Sequence, residues 1–315
     1  MPVENKTTLA TLLIINYNGG QLTIDCIRSA LQANTVLNFD IIVVDNNSLD
    51  NSVSEIRQAF PNVKIIENPK NLGYAGAVNI GVRATSTPYA IVSNNDVIYH
   101  NQSLSILIGF LENNQEFAAA GPQQLYPDGK WQYSFGSLPG WRVALEDLLF
   151  ISSFKRFLEK IIYKIRKNAK KVGYIDGAVM ALRRSAFDSI GGFDEDYFFF
   201  TEEADYCKRL ADAGFGCHYY PKARVTHFRG ASYETMALNQ KRAEMFIESK
   251  VLYCKKHLSK AETRCFITFE LIHSLKMKSL YSALALFSKR FKLKAKTHSI
   301  FISLWNKYMK VTPES

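Results

Sequence analysis

No stretch of this 315-residue chain stays apolar for the roughly 18 residues that a bilayer-spanning helix needs. Cysteine is scarce: Cys26, Cys207, Cys217, Cys254 and Cys265 are odd in number, widely spaced and form no CxxC pair. They read as ordinary reduced thiols, in line with a cytosolic compartment. The N-terminus has Lys6 and a short apolar run before Asn16, without the longer apolar region and small-residue cleavage site of a signal peptide. The expected location is therefore the cytoplasmic side. No aromatic-basic recognition module is visible, so nucleic acid is not an expected partner.

Hydrophobic residues make up 47% of the chain, ample for one large domain plus an appendage. The net charge of +10 is unevenly spread. From Lys241 onward there are 16 Lys and Arg against 5 Asp and Glu, and Ile151 to Val172 holds 8 against 1. The remainder carries 15 basic and 23 acidic residues. Both basic segments mix Lys and Arg with Phe, Ile, Leu and Tyr at helical spacing. Such helices suit an anionic membrane surface, and equally a solvated face packed on its own domain.

The first hundred residues alternate two periodicities. TLLIINYNGG, DIIVVDNNSLD, NVKIIEN and YAIVSNNDVIYH are short β-branched runs bounded by turn formers, the mark of strands. Between them, QLTIDCIRSALQAN places Leu22, Cys26, Ile27, Ala30 and Leu31 near helical spacing. SLDNSVSEIRQAF offers Ser48 or Asp50 as a cap, and GYAGAVNIGVRAT is a small-residue helix. This β-α-β-α-β-α-β order predicts a mostly parallel sheet with right-handed crossovers. Three of the strands end in polar clusters, at Asn16-Tyr17-Asn18, Asp45-Asn46-Asn47-Ser48 and Asn94-Asn95-Asp96. Strand carboxyl ends are where open α/β sheets bind ligands, and a carboxylate is expensive anywhere deeper in the sheet.

Further along, TEEADYCKRLADAGFG reads as a helix with Thr201 near its N-cap and Gly214 as its stop. Glu202 and Glu203 fall in the first turn, where the helix dipole favours a carboxylate. Routine capping explains two such acids, and a general base after the aromatic run Tyr197 to Phe200 explains them as well. His227 ends the strand in YYPKARVTHFRG. A strand-end acid, a helix-start acid pair and a later strand-end histidine together point to a site.

The stretches IINYNG, IIVVDNNSLDNS, NPKNLGYAGAVNIGV, VSNNDV, DGAVMALRR, GGFDEDYFFFTEEADYCKRLADAGF and VTHFRGAS cover about Leu12 to Ser232. Through them the sequence resembles family 2 glycosyltransferases of the GT-A fold, and among these the rhamnosyltransferase-type enzymes of bacterial surface polysaccharides. The resemblance implies an α/β fold in which helices flank a Rossmann-like, mostly parallel central sheet. Residues 1–240 would be the nucleotide-sugar-binding catalytic domain, with a basic helical insert at about 151–172. Residues 241–315 would be a basic, mainly helical extension.

It also implies roles. Tyr17 would pack on the nucleobase, Asp45 contact base or ribose, and Asn71, Gly73 and Asn79 shape the nucleotide wall, with Asn16 and Asn95 in the same set and Arg83 toward the diphosphate. Asn94-Asn95-Asp96 stands for the acidic metal motif. Asp96 is its anionic ligand, Asn94 acts through an amide oxygen or a water, and His227 completes a site for Mg2+ or Mn2+. Glu203 would be the catalytic base with Glu202 in support, and Asp205 would orient neighbours. Asp176, Gly177 and Ala178 would border donor sugar and acceptor. The implied activity is inverting, metal-dependent sugar transfer from dTDP-rhamnose or a UDP-hexose to a saccharide acceptor, lipid-linked at the inner face of the cytoplasmic membrane. Two alternatives are a silent nucleotide-sugar-binding or membrane scaffold and a sugar-1-phosphate nucleotidylyltransferase. The latter calls for a glycine-rich GGxGxR-like loop where this chain has NYNGGQL.

Overall fold

The computed structural model describes residues 8–166, 169–228 and 240–311. Arg229 to Ser232 of the VTHFRGAS stretch, residues 167–168 of the basic insert and residues 312–315 of the C-terminal extension lie outside the described residues. The expected alternation is present as β1 (Ala10–Asn16), α1 (Gly20–Ala33), β2 (Phe39–Asp45), α2 (Ser52–Ala59), β3 (Lys64–Glu67), α3 (Gly73–Arg83) and β4 (Tyr89–Asn94). There follow β5 (Val97–Tyr99), α4 (Ser103–Asn113), β6 (Phe117–Leu125), β7 (Trp131–Gln132) and β8 (Phe135–Gly136). Two helices come next, α5 (Trp141–Leu148) and α6 (Ile151–Arg166). The chain then forms β9 (Lys170–Val172), β10 (Tyr174–Ile175), β11 (Val179–Arg183), α7 (Arg184–Ser189), α8 (Glu202–Asp212) and β12 (Gly216–His227). Helices α9 (Gln240–His257), α10 (Lys260–Leu284) and α11 (Lys289–Val311) complete the described chain.

The central sheet runs β3-β2-β1-β4-β11-β6-β12-β5, with β7 on β6 and β9 on β12. Strands β3, β2, β1 and β4 are parallel, as are β6 and β12. β11 lies antiparallel between β4 and β6, and β5 pairs antiparallel with the end of β12. Alternating side chains of the strands, Leu12, Ile14, Val43 and Ile91 among them, meet α1 and α4 in one buried cluster. Helix α1 presents Ile24, Cys26, Ile27 and Ala30 to it, whereas Leu22 and Leu31, expected on the buried face, are exposed. Helix α3 lies against β1 so closely that a side chain at Gly81 would collide with Leu13.

Helix α2 begins at Ser52 behind Asn51, whose own side chain makes no cap bond, while Asp50 Oδ1 accepts from the Ser52 backbone amide at 3.0 Å. Ser48 is unavailable for that task because its hydroxyl donates to Asp45 and accepts from Asn16 and from the Asn18 amide.

The chain forms two compact units, and their boundary differs from the expected division at residue 240. The sheet unit takes the stretch ending at Gly136 together with Arg166–Phe198 and Glu202–Phe228. The second unit contains Ser137–Ile165, Phe199–Thr201 and the helices from Gln240 onward. The reason is apolar: Ala144 of α5 is buried in a cluster with Ile247 and Val251 of α9, Phe266 of α10 and Trp305 of α11. Within this unit α10 starts with a capping box, in which Ser259 and Glu262 each bond the other's backbone amide, at 3.3 and 3.0 Å. No described helix is long and apolar enough to cross a membrane.

Candidate active site

Strand register gathers the polar ends. Asn16 of β1 lies opposite Asp45 of β2, and Ile15 opposite Asn94 of β4. Buried Asn16 is the hub of this end of the sheet. Its amide donates to Asp45 Oδ1 (2.7 Å) and Ser48 Oγ (3.1 Å), and its oxygen accepts from Thr23 Oγ1 (2.8 Å) and Asn95 Nδ2 (3.0 Å). Every hydrogen-bonding position of the side chain is thereby used inside the protein. Asn16 therefore positions the three strand ends rather than reaching outward. Asp45 is similarly committed, accepting also from the Ser48 hydroxyl and amide at 2.6 and 2.9 Å. Tyr17, between these tied turns, is 48% exposed and projects from the surface they form.

The wall formed by residues 71–79 is set mainly by internal bonds. Asn46 donates to Asn71 Oδ1 (2.9 Å) and the Gly73 carbonyl (3.0 Å) and accepts from Asn68 and the Leu72 amide. Gly73 has φ +73°, and a side chain there would meet the backbone of Phe198, whose carbonyl accepts from the Tyr74 amide at 2.9 Å. Only glycine adopts this conformation and tolerates that approach without strain.

Two residues expected at the nucleotide are elsewhere. Buried Asn79 spends its amide on the Phe193 carbonyl and Glu195 (both 2.8 Å) and its oxygen on the Phe193 amide (2.8 Å). Arg83 sits in the last turn of α3, about 15 Å along the helix from Gly73 at 1.5 Å per residue. There it faces Glu195 at 3.8 Å and the Gly191 carbonyl at 3.4 Å. The helix that starts at the strand ends carries both residues away from them.

The second grouping joins β4, β5, β6, β7, β11 and β12. The β5–β12 ladder pairs Val97 with His227, which sets His227 Nε2 3.3 Å from Asp96 Oδ1. Gln132 accepts at 2.8 Å and Gln124 at 3.2 Å from His227 Nδ1. The orientation of both amides follows from their other ends: Gln132 Nε2 donates to the His227 carbonyl (3.2 Å) and Gln124 Nε2 to Asp176 Oδ1 (3.5 Å). Two amide oxygens facing Nδ1 require a proton on that nitrogen, which leaves Nε2 as the face turned to Asp96. Neither glutamine stands out in the sequence. A short strand paired to β6 is what delivers Gln132.

The donor set suits a small divalent cation. Two neighbouring ligands of an octahedral ion at ~2.1 Å lie ~3 Å apart, close to the Asp96–His227 separation. Half-buried Asn94 is the residue after which the strand turns, and its backbone N–H donates to the Ala178 carbonyl at 2.9 Å. Among the described residues no three or more His, Cys, Asp or Glu side chains gather as a metal centre. An ion here would take its remaining ligands from amide oxygen, water and the oxygens of a bound diphosphate, the usual arrangement for Mg2+.

Next to this pair, Asp176, Glu202 and Glu203 surround Tyr74. Burial, then Glu202, Glu203 and Asp176, push the Tyr74 phenol well up, and its hydroxyl donates to the Gly177 carbonyl. Asp176 Oδ1 accepts from the Ala178 amide at 3.0 Å, which closes the Asp176-Gly177-Ala178 turn beside Asn94. Glu202 is buried at 4% exposure, and its Oε2 has no hydrogen-bond partner. Burial first, then the Glu203 charge, push its carboxyl well above the ordinary range, toward the neutral form. Phe200 and Thr201, just before it, have φ of 72° and 68°. Left-handed backbone at a bulky and a β-branched residue costs about 1–3 kcal/mol each. Asp205, fully buried, accepts from Arg209 Nε at 2.8 Å, while the same guanidinium donates to the Ile190 and Gly192 carbonyls.

With this geometry in hand, known proteins resemble the chain at three levels. The sequence pattern of glycosyl transferase family 2 matches residues 11–191, and one described as the N-terminal domain of galactosyltransferase matches residues 158–231. The N-acetylglucosaminyl-diphospho-decaprenol L-rhamnosyltransferase of Mycobacterium tuberculosis is 28% identical over 240 residues, 72% of this chain and 78% of the relative. Rhamnosyltransferase WbbL of Escherichia coli is 30% identical over 153 residues, 46% of this chain and 54% of its own. Mannosyltransferase PcManGT from Pyrobaculum calidifontis, solved with GDP-Man and Mn2+, superposes at a TM-score of 0.61 and 14% identity, over 95% of this chain and 86% of its own. GalNAc-T7, solved with UDP, GalNAc and Mn2+, gives 0.54 at 15% identity over 70% of this chain, which spans 43% of that enzyme. At such identities the structural likeness speaks for the fold alone.

Proposed function

The chain belongs to glycosyl transferase family 2, and we propose that it moves a sugar, with inversion, from a nucleoside-diphosphate donor to a hydroxyl of a saccharide acceptor. Family membership sets aside the nucleotidylyltransferase reading. The observation that carries the proposal is Asp96 and His227, 3.3 Å apart at the strand ends and linked through Gln124 to the carboxyl group that surrounds Tyr74.

In this reading Glu203 accepts the proton of the acceptor hydroxyl as that oxygen bonds to the anomeric carbon. The bond from this carbon to the diphosphate oxygen breaks on the opposite face, and the nucleoside diphosphate leaves with the electron pair. Glu202, which burial pushes toward the neutral form, supports Glu203 from the same helical turn. Asp96, His227 and Asn94 would hold Mg2+ or Mn2+, whose positive charge would offset that of the departing diphosphate. Tyr17 offers a ring for the nucleobase, and Asp176, Gly177 and Ala178 border the sugar.

The names of the rhamnosyltransferase relatives favour dTDP-rhamnose as donor, with UDP-hexoses as the alternative. The decaprenol-linked acceptor in the mycobacterial relative's name favours a lipid-linked acceptor here, and with it a peripheral place at the inner face of the cytoplasmic membrane.

The test is a calorimetric titration with UDP, dTDP and GDP, each with and without Mn2+, on wild type and Asp96→Ala. Mn2+-dependent binding of a pyrimidine nucleotide, lost in the variant, supports the reading. Unchanged metal dependence in Asp96→Ala would remove Asp96 from the metal site.

A further inference from the structure

The two basic segments, similar in composition, differ in what they bury. In the C-terminal helices Ile247, Val251, Phe266, Ile267 and Trp305 form the unit's own core, while Leu280, Leu286 and Phe287 stay exposed. In α6 the large apolar residues from Ile151 to Ile162 remain outside. Ile151, Phe154, Phe157, Leu158, Ile161 and Ile162 are all exposed, from 40% at Leu158 to 61% at Phe154. At ~100° per residue they fall within an arc of about 140°. No other described helix of the unit packs broadly against α6. Helices of globular proteins ordinarily bury such a stripe, so this one is built for an occupant.

Charge selects the occupant. Lys155 lies at one border of the stripe, Lys160 beyond the other, and Arg156 on the back. Glu159 is the one acid among Ile151 to Val172, against eight bases. Lys155 and Arg156 reach back to Glu146 (2.7 Å) and Asp147 (3.7 Å), both surface pairs that competing anions exchange easily. A second copy would bring the same positive charges face to face. A bilayer with anionic headgroups accepts the apolar arc below the headgroups and the flanking lysines at their level.

We propose that the Ile151–Ile162 face of α6 docks on an anionic lipid surface. This deepens the reading of a membrane-bound acceptor given above, and its test uses no sugar transfer.

The experiment is co-sedimentation of the full chain with phosphatidylcholine vesicles, alone or with about one third phosphatidylglycerol. Wild type is expected to bind the anionic vesicles at least about tenfold more tightly, and less tightly as salt rises. The triple variant Phe154→Ser, Phe157→Ser, Ile161→Ser is expected to lose about tenfold or more of that affinity. Its nucleotide binding should equal wild type, which separates failure of docking from failure of the nucleotide site. Should the triple variant not fold, Lys155→Glu with Lys160→Glu keeps the apolar stripe and should abolish the preference for phosphatidylglycerol. Equal binding to both vesicle types, or variants that bind like wild type, overturn the proposal. So does a wild-type dimer that the triple variant converts to monomer without any vesicle binding, because the face would then join two copies.

Discussion

Replacing Gln132 by leucine tests whether the Asp96–His227 pair is a prepared metal site. The substitution removes the 2.8 Å acceptor of the His227 Nδ1 proton and the 3.2 Å donor to the His227 carbonyl. Gln124 remains as an acceptor at 3.2 Å, so the imidazole keeps its tautomer but loses its better anchor. Outer partners of ligating histidines typically contribute about 10–100-fold in metal affinity. With one acceptor left, the low end applies: about tenfold, or ~1.4 kcal/mol. Replacing both glutamines should approach about a hundredfold. The assay is a Mn2+ titration in saturating nucleoside diphosphate, with free Mn2+ followed by its electron paramagnetic resonance signal and thermal stability measured alongside. Gln132→Glu, which retains an acceptor oxygen, should restore most of the affinity. A Gln132→Leu protein with lowered thermal stability but Mn2+ affinity within about twofold of wild type would refute this, since Gln132 would then serve packing alone.

The remaining expectations separate reacting groups from supporting ones. Glu203→Gln should keep nucleotide-sugar binding and lose most turnover, at least about a hundredfold, the usual scale for a general base; near-normal turnover would remove it from that role. Glu202→Gln should retain most activity, because an amide resembles the protonated carboxyl. In wild type the raised folded pKa of Glu202 means that its contribution to stability is whole below the ordinary glutamate range and declines as pH rises toward the folded value. Denaturation of Glu202→Gln across pH should lack that decline, and an unchanged profile would contradict the assignment. Asn79→Ala loses two buried hydrogen bonds and one part-buried one, about 2–4 kcal/mol of stability at ~0.5–1.5 each. Nucleotide affinity should hardly move in Asn79→Ala, and likewise in Arg83→Ala. A large loss of affinity in either would return that residue to the nucleotide.

Much of the framework was legible because it is local. A β-branched run ended by Asn or Asp is a strand reaching a polar edge, which singled out Asp96, while Glu203 stood out as an acid in a helix's first turn and His227 as a histidine at a strand end. Hydrogen-bond saturation is not local. Asn16, Asn79 and Asn71 lie in stretches that resemble a nucleotide wall, yet Asn16 is consumed by four neighbours and Asn79 by the Phe193–Glu195 turn. Arg83 lies at the far end of α3 from Gly73, facing Glu195, because helical rise rather than sequence proximity decides which end of the helix a residue occupies. Gln124, Gln132 and Asn46 gave no signal, since a buried amide and a surface amide are spelled alike.

By itself the sequence determined the order of strands and helices, the strand ends where charge can survive, and the apolar stripes, because periodicity and turn chemistry act within a few residues. The tertiary structure alone decided which ends meet: the β5–β12 ladder brings His227 to Asp96, and the β6–β7 pairing brings Gln132 behind it. It also decided that, of two alike basic segments, the C-terminal one buries a core around Trp305 while Leu286 and Phe287 stay exposed, and α6 leaves its stripe open from Ile151 to Ile162. Burial and the partner of each donor are properties of what lies across from a residue, and only the folded chain fixes that.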